Sequence, residues 1–207
     1  MSPDSRGLDV FHKNGIIDWS AVATAGSAFA IAKATEGIHF TDDQFPSNWA
    51  GIKRIRIARG AYHFFRPSVD PEQQARHFFD VVGLLDPEDL PPVLDVEVGG
   101  GLSADTILDR LAVCLKTTET LFRRRPLIYT YPWFWETQLN NSPRFSDYPL
   151  WIANYTTRRA PRLPGGWKTW LLWQYSATGK IGGVEPPVDL DRSNGPITSL
   201  LRPSLPA

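Results

Sequence analysis

The chain has 207 residues, 42% hydrophobic and 12% aromatic, which is enough apolar material for one packed domain and excludes a disordered protein. Twenty-two Lys and Arg balance 22 Asp and Glu for a formal net charge of +0, so no bulk field draws the protein to nucleic acid or to an anionic membrane. One cysteine, Cys114, excludes an internal disulfide, and no run of about 18 apolar residues is present to cross a bilayer. The start, Met1 to Gly7, lacks the basic residues and apolar run of a secretory signal. A soluble monomer without membrane insertion is expected, one domain over 1–207 with its core at about 7–192 and short flexible tails.

Short apolar strands alternate with helical segments over most of the length, the pattern of parallel strands joined by crossover helices. Gly7 to Val10 reads as a strand, Trp19 to Ala25 as a short helix, Ala28 to Lys33 as a strand and Phe45 to Arg54 as a helix. Ile57 to Phe65 is a third strand. Asp70-Pro71-Glu72-Gln73 then starts a helix, with Asp as N-cap, Pro at the first helical position and Gln three residues after the cap. Strand four is Val93 to Val98. Gly99-Gly100-Gly101 breaks it, and Ser103 caps a long helix through Phe122, with Ile107, Leu108, Leu111, Cys114, Leu115, Thr118 and Phe122 on its inner stripe. Pro126 to Tyr131, Pro149 to Ala153, Thr169 to Tyr175 and Val188 to Asp191 read as four further strands. Helical spacing fails after about residue 140, and Tyr155 to Lys168, with its prolines and glycines, reads as a loop. The expected fold class is α/β, an irregular (β/α) barrel of about eight strands, the first five linked by helices and the last three by loops.

The fourth strand carries the chemistry. In Leu94-Asp95-Val96-Glu97-Val98 alternation puts both acids on one face and the aliphatic residues on the other. Like charges held together raise the pKa of at least one of them, which suits a proton donor at neutral pH. Pairing of a strand-end acid with Arg or Lys is the plainer alternative. However, Asp9 in Gly7-Leu8-Asp9-Val10 and Asp189 and Asp191 in Val188-Asp189-Leu190-Asp191 also lie between aliphatic neighbours near expected carboxyl ends of strands. In a parallel barrel those ends form the mouth, so Asp9, Asp95, Glu97 and Asp189 are expected to converge. Neutral and ionised carboxyls in one pocket point to glycosidic hydrolysis.

With these residues in place the sequence resembles the glycoside hydrolase family 25 lysozymes, the Chalaropsis-type muramidases of bacteria, phages and fungi. The resemblance runs through Gly7-Leu8-Asp9-Val10, Ile17-Asp18-Trp19, Ala32-Lys33-Ala34-Thr35-Glu36-Gly37, Gly60-Ala61-Tyr62-His63-Phe64, Leu94-Asp95-Val96-Glu97, Ile128-Tyr129-Thr130, Leu150-Trp151-Ile152-Ala153, Trp173-Gln174-Tyr175 and Val188-Asp189-Leu190-Asp191. It implies an irregular barrel and cleavage of the β-1,4 bond between N-acetylmuramic acid and N-acetylglucosamine in peptidoglycan, the expected partner. It also implies that Glu97 is the general acid, that Asp95 assists at the anomeric centre or orients the N-acetyl group, and that Asp9 and Asp189 flank the pocket. Net retention with substrate assistance follows from the same likeness. A non-hydrolytic glycan-binding barrel, or a hydrolase of another N-acetylated glycan such as chitin, are the competing readings.

Aromatic residues complete the expected cleft, because sugar rings stack their C–H faces on aromatic rings. Tyr62, Tyr129, Trp151 and Trp173 are the candidates for binding, and Trp133 and Trp135, placed in a loop after strand five, for an exposed wall. Trp19 and Trp49 are expected in the core. His12, His39, His63 and His77 are scattered without ligand spacing, and no Cys pair or nucleotide-binding Gly-rich loop occurs, so neither a metal nor another cofactor is expected. Glu36 is expected to hydrogen-bond near the mouth. Phe11-His12-Lys13-Asn14 and Asp191-Arg192-Ser193 depart from the family pattern and put substrate preference in question.

Overall fold

A computed structural model describes residues 4–201. Eight strands close into a barrel. These are β1 (Arg6–Val10), β2 (Phe29–Glu36), β4 (Ala58–Phe64), β5 (Val93–Asp95), β6 (Leu127–Thr130), β7 (Leu150–Ala153), β8 (Leu172–Ile181) and β9 (Val184–Ser193). A two-residue strand, β3 (Phe40–Thr41), pairs with the end of β2 outside the barrel. The first seven barrel strands run parallel in neighbour order from β1 through β8, and β9 closes the ring antiparallel to both β8 and β1. The helices α1 (Trp19–Thr24), α2 (Phe45–Arg54), α3 (Pro71–Val82) and α4 (Ala104–Phe122) link the first five barrel strands, as the spacing of apolar residues requires.

Their starts follow side-chain chemistry. Asp18, Asp70 and Ser103 each accept backbone N–H groups of the first turn, satisfying donors that have no partner inside the helix. Strand alternation then sorts the residues into two apolar clusters. Leu8, Ala32, Leu94, Ile128 and Ile152 face the helices, while Phe29, Ile31, Leu90, Val93, Leu127 and Leu172 fill the barrel below its mouth. The barrel is therefore packed below a mouth at the carboxyl ends of the parallel strands. Cys114 lies buried on the inner face of α4, where burial pushes its thiol up to about 12.

Two expectations about the second half change. The segment after β6 is a short helix, α5 (Pro132–Gln138), not a loop. Proline at its first position both starts it and hides it from a reading that looks for long periodic runs. β8 and β9 extend as a ten-residue hairpin beyond the expected Thr169 to Tyr175 and Val188 to Asp191. Ser176 to Lys180 lack apolar alternation, and Pro186-Pro187 argues against a strand on sequence grounds. Beyond residue 192, the Ser193 N–H donates to the Ser5 carbonyl and Ile197 packs in the inner apolar cluster. The flexible tails expected at the two ends fall partly on 1–3 and 202–207, outside the described residues.

Candidate active site

Register brings the acids together. Asp9 on β1 pairs with Asp189 on β9, and Asp95 pairs with Phe64 on β4 and Tyr129 on β6. All point into the barrel. Asp9, Asp95, Glu97 and Asp189 line one cavity of about 210 Å³, together with Lys33, Tyr62, Phe64, Tyr129, Trp151 and Gln174. Asp189 arrives there on the antiparallel strand, so it stands at the mouth without lying at a carboxyl end, contrary to the sequence expectation. A second cavity of about 500 Å³ adjoins the first and is lined by Tyr131, Trp133, Asn154, Tyr155 and Arg162. Glu97 and Tyr129 line both. Glu97 is the one carboxylate at the junction.

A bulge in β2 builds the cationic side. The β2–β4 register shifts between Lys33 and Thr35, so the side chain after Lys33 does not return to the interior on schedule. Thr35 turns outward to His63 Nδ1 at 2.7 Å, and Glu36 comes back to the mouth. There Glu36 accepts from Lys33 Nζ at 2.6 Å and from the Arg66 guanidinium. These two cations hold Glu36 below the usual range although its burial acts the other way. Lys33 Nζ also lies 4.9 Å from the Phe64 ring centre, an arrangement that keeps a cation in the pocket without a hydrogen bond to Asp9, Asp95, Glu97 or Asp189.

Gln174 is a site residue that the sequence does not single out. Its amide donates from Nε2 to Asp9 Oδ2 at 2.7 Å, and its Oε1 accepts from Tyr129 Oη at 3.0 Å and Tyr155 Oη at 2.7 Å. One side chain thus ties three site residues from β1, β6 and the loop after β7. Asp191, to which the sequence assigns no role, lies one rung below Asp9, fully buried, and accepts from Trp151 Nε1 at 2.8 Å. A polar residue alternating with Trp173 and Tyr175 is the signal that marks Gln174 as inward-facing.

Among the aromatic candidates, Tyr62, Tyr129 and Trp151 line the cavity. Trp173 does not. It faces the outer side of β8, donates from Nε1 to the Asn154 carbonyl at 2.8 Å and carries the Arg192 guanidinium 3.9 Å from its ring centre. Alternation decides this, since Gln174 takes the inward place. Trp133 is 61% exposed, stacks on Tyr131 at an interplanar angle of 6° and walls the second cavity. Trp135 is fully buried with its Nε1 on the Ser142 carbonyl, so it forms no exposed wall. Two positions apart on a helix, the two indoles leave on opposite sides. Trp19 is buried in the core and Trp49 packs against it at half burial. His63 is enclosed between Thr35 and Gln74, lowered to about 3 by burial, and has no path to the pocket.

The family model described as "Glycosyl hydrolases family 25" matches residues 8–184. The chain belongs to this family. It is 35% identical to "Lysozyme M1" of Streptomyces globisporus over 206 residues, 95% of this chain and 70% of that protein. It is 29% identical to the "N,O-diacetylmuramidase" of Chalaropsis sp over 191 residues, 86% of this chain and 90% of that protein. The crystal structure of the bacterial lysozyme from Streptomyces coelicolor superposes with a TM-score of 0.91 at 36% identity, covering 97% of each chain. The barrel and its short connections are therefore the family 25 fold.

Electrostatics of this family 25 pocket follow from enclosure. Burial is the leading cause of raised pKa for Asp9, Asp95, Glu97, Asp189 and Asp191. For Glu97, Lys33 and Arg66 come next and pull it down, while Asp189 and Glu36 push it up. Repulsion from neighbouring acids comes next after burial at Asp95, from Glu97, and at Asp9, from Asp191 and Asp189. Tyr62 and Tyr129 are raised by burial and then by the surrounding carboxylates, so their hydroxyls stay protonated donors.

The same shifts set stability against pH. A carboxyl raised in the folded state binds more protons there than in the unfolded chain, so the cluster favours folding below its unfolded values near 3.9 and loses that contribution as pH rises. Asp189 is raised to about 6 and Asp191 to about 7. Thermal unfolding followed by calorimetry is expected to show Tm falling between about pH 6.5 and 8, above the range in which the lowered groups, buried His63 at about 3 and Glu36, act the other way. A Tm that rises through this window would contradict the buried acid cluster.

Proposed function

We propose that this chain is a peptidoglycan hydrolase, a lysozyme that cuts the β-1,4 bond between N-acetylmuramic acid and N-acetylglucosamine with Glu97 as general acid. The observation that carries the assignment is the place of Glu97 at the junction of two adjoining cavities. A scissile oxygen joins two sugars, and the group that protonates it must reach between their two sites. Burial raises the Glu97 carboxyl above its ordinary range, the direction a proton donor needs, although Lys33 and Arg66 act the other way. Relatives named as a lysozyme and as a muramidase support the substrate class.

In this reading the sugar that becomes the new reducing end sits over Trp151 in the first cavity, between Tyr62 and Tyr129. Glu97 gives its proton to the glycosidic oxygen as that bond breaks. The acetamido oxygen of the same sugar attacks the anomeric carbon, and Asp95, enclosed beside it, holds the acetamido N–H and offsets the positive charge. Glu97, now a carboxylate, takes a proton from the incoming water, which opens the ring intermediate from the opposite face and restores the original configuration. Asp9 and Asp189 add negative potential below the ring.

Mass spectrometry of digested, purified peptidoglycan tests this. New reducing ends on N-acetylmuramic acid are expected. Reducing N-acetylglucosamine ends, or release from chitin oligomers but not from walls, would sink the bond assignment, and wall binding without any released reducing sugar would favour the non-hydrolytic barrel.

A further inference from the structure

Asp191 is a buried acid that takes no part in the hydrolytic steps. It faces inward between Gly7 on β1 and Gln174 on β8, one rung deeper than the Asp9–Asp189 pair, and has no exposed surface. Trp151 Nε1 holds its Oδ1 at 2.8 Å, whereas its Oδ2 receives no donor from any other described residue. Its neighbour on the same inner face is the carboxyl of Asp9, which acts on Asp191 and is acted on by it. An enclosed carboxylate oxygen without a donor is costly, and two carboxylates in contact cannot both stay ionised away from water. A single proton between them removes both costs.

We propose that Asp191 is a positioning residue that shares one proton with Asp9, and so fixes the charge and the orientation of the carboxylate that Asp9 turns toward the substrate. Asp9 Oδ2 is an acceptor for Gln174 Nε2. The amide can therefore point only its Oε1 at Tyr129 and Tyr155. A chain of fixed polarity runs from Trp151 through Asp191, Asp9 and Gln174 to the two tyrosine hydroxyls. With one proton between the two acids, the pair carries one negative charge instead of two. The groups that face Asp9 from the surrounding elements are Asp189 and Asp191 of β9, Tyr62 of β4, Tyr129 of β6 and Tyr155 of the loop after β7. None of them is a cation, and Lys33 is the cation lining the same cavity.

The test is carbon-13 NMR of protein labelled at the Asp side-chain carboxyls, with kinetics on cell wall; only the kinetic part rests on the hydrolase reading. In the parent protein the Asp9 and Asp191 signals are expected to move together in two coupled steps. In Asp191→Asn, Asp9 is expected to titrate in a single step at lower pH, because the like charge is gone and the amide can donate to it. On wall substrate kcat falls roughly 10- to 100-fold with KM little changed. A filler role for Asp191 would leave the Asp9 titration where it was, and that result overturns the proposal. If Asp191→Asn does not fold, Asp9→Asn is read in reverse at Asp191, which must then lose its upper step. Coupled titration in a protein that releases no sugar would uphold proton sharing and overturn the hydrolase reading.

Discussion

Replacing Glu97 by Gln is expected to lower kcat on bacterial cell wall by about 10²- to 10⁴-fold, while the protein still sediments with the wall. Gln matches Glu in shape and can donate a hydrogen bond, but it has no proton to transfer to a departing sugar oxygen. Binding survives because the cleft walls are made by other residues, including Trp151, Tyr62 and Trp133. An equal loss of binding and turnover would mean that Glu97 holds the glycan and does not act on it. The pH dependence has a defined sign. As the proposed general acid, Glu97 must be protonated to act, and burial raises it. Activity is therefore lost on the alkaline side as Glu97 ionises, and kcat/KM measured from acid to alkaline pH should show that limb.

The second large effect belongs to Asp95. Asp95→Asn is expected to reduce kcat by about 10²- to 10³-fold, the range found when a group facing developing charge is removed from an enclosed site. This acid is buried, and its Oδ1 has no hydrogen-bond donor among the described residues. It also sits against Glu97, whose charge is the first to disfavour it after burial itself. An acid placed so poorly for folding is expected to repay its removal, and Asp95→Asn should raise Tm even as activity falls. A variant that loses both activity and Tm would instead assign Asp95 a structural role. Calorimetry and a turbidity assay on the same preparation separate the two.

Much of this architecture is legible in the chain because two periodicities are clean in its first two thirds. Asp70 followed by Pro71, and Ser103 after three glycines, announce α3 and α4, and the segment Val93 to Val98 between them alternates without interruption. The acid cluster is legible for the same reason. Once Leu8, Leu94 and Val96 are sent to the helix side, Asp9, Asp95 and Glu97 can only face the barrel interior.

What is not legible depends on register and polarity across strands. Trp151 and Trp173 look alike in sequence, each beside a leucine and a polar or aliphatic neighbour, yet one faces the pocket floor and the other the outer wall. Asp189 is expected at a carboxyl end that the antiparallel run of β9 does not have there. The bulge after Lys33 is invisible to a fixed period of two, although it is what returns Glu36 to the mouth. The burial of Trp135 escapes the sequence because a seven-residue helix is too short to show its period. Gln174 carries no charge, so its alternation with Trp173 and Tyr175 is the sole sequence signal of its inward place, and its partners appear only when β7, β8 and β9 are laid side by side.

The most direct test is the titration of the Glu97 carboxyl, followed by carbon-13 NMR in protein labelled at the glutamate side chains. Enclosure at the junction of the two cavities requires Glu97 to ionise well above about 4.3, the ordinary value for the side chain. Titration at or below that value would mean that the proton is already gone at neutral pH, and Glu97 could not then be the general acid.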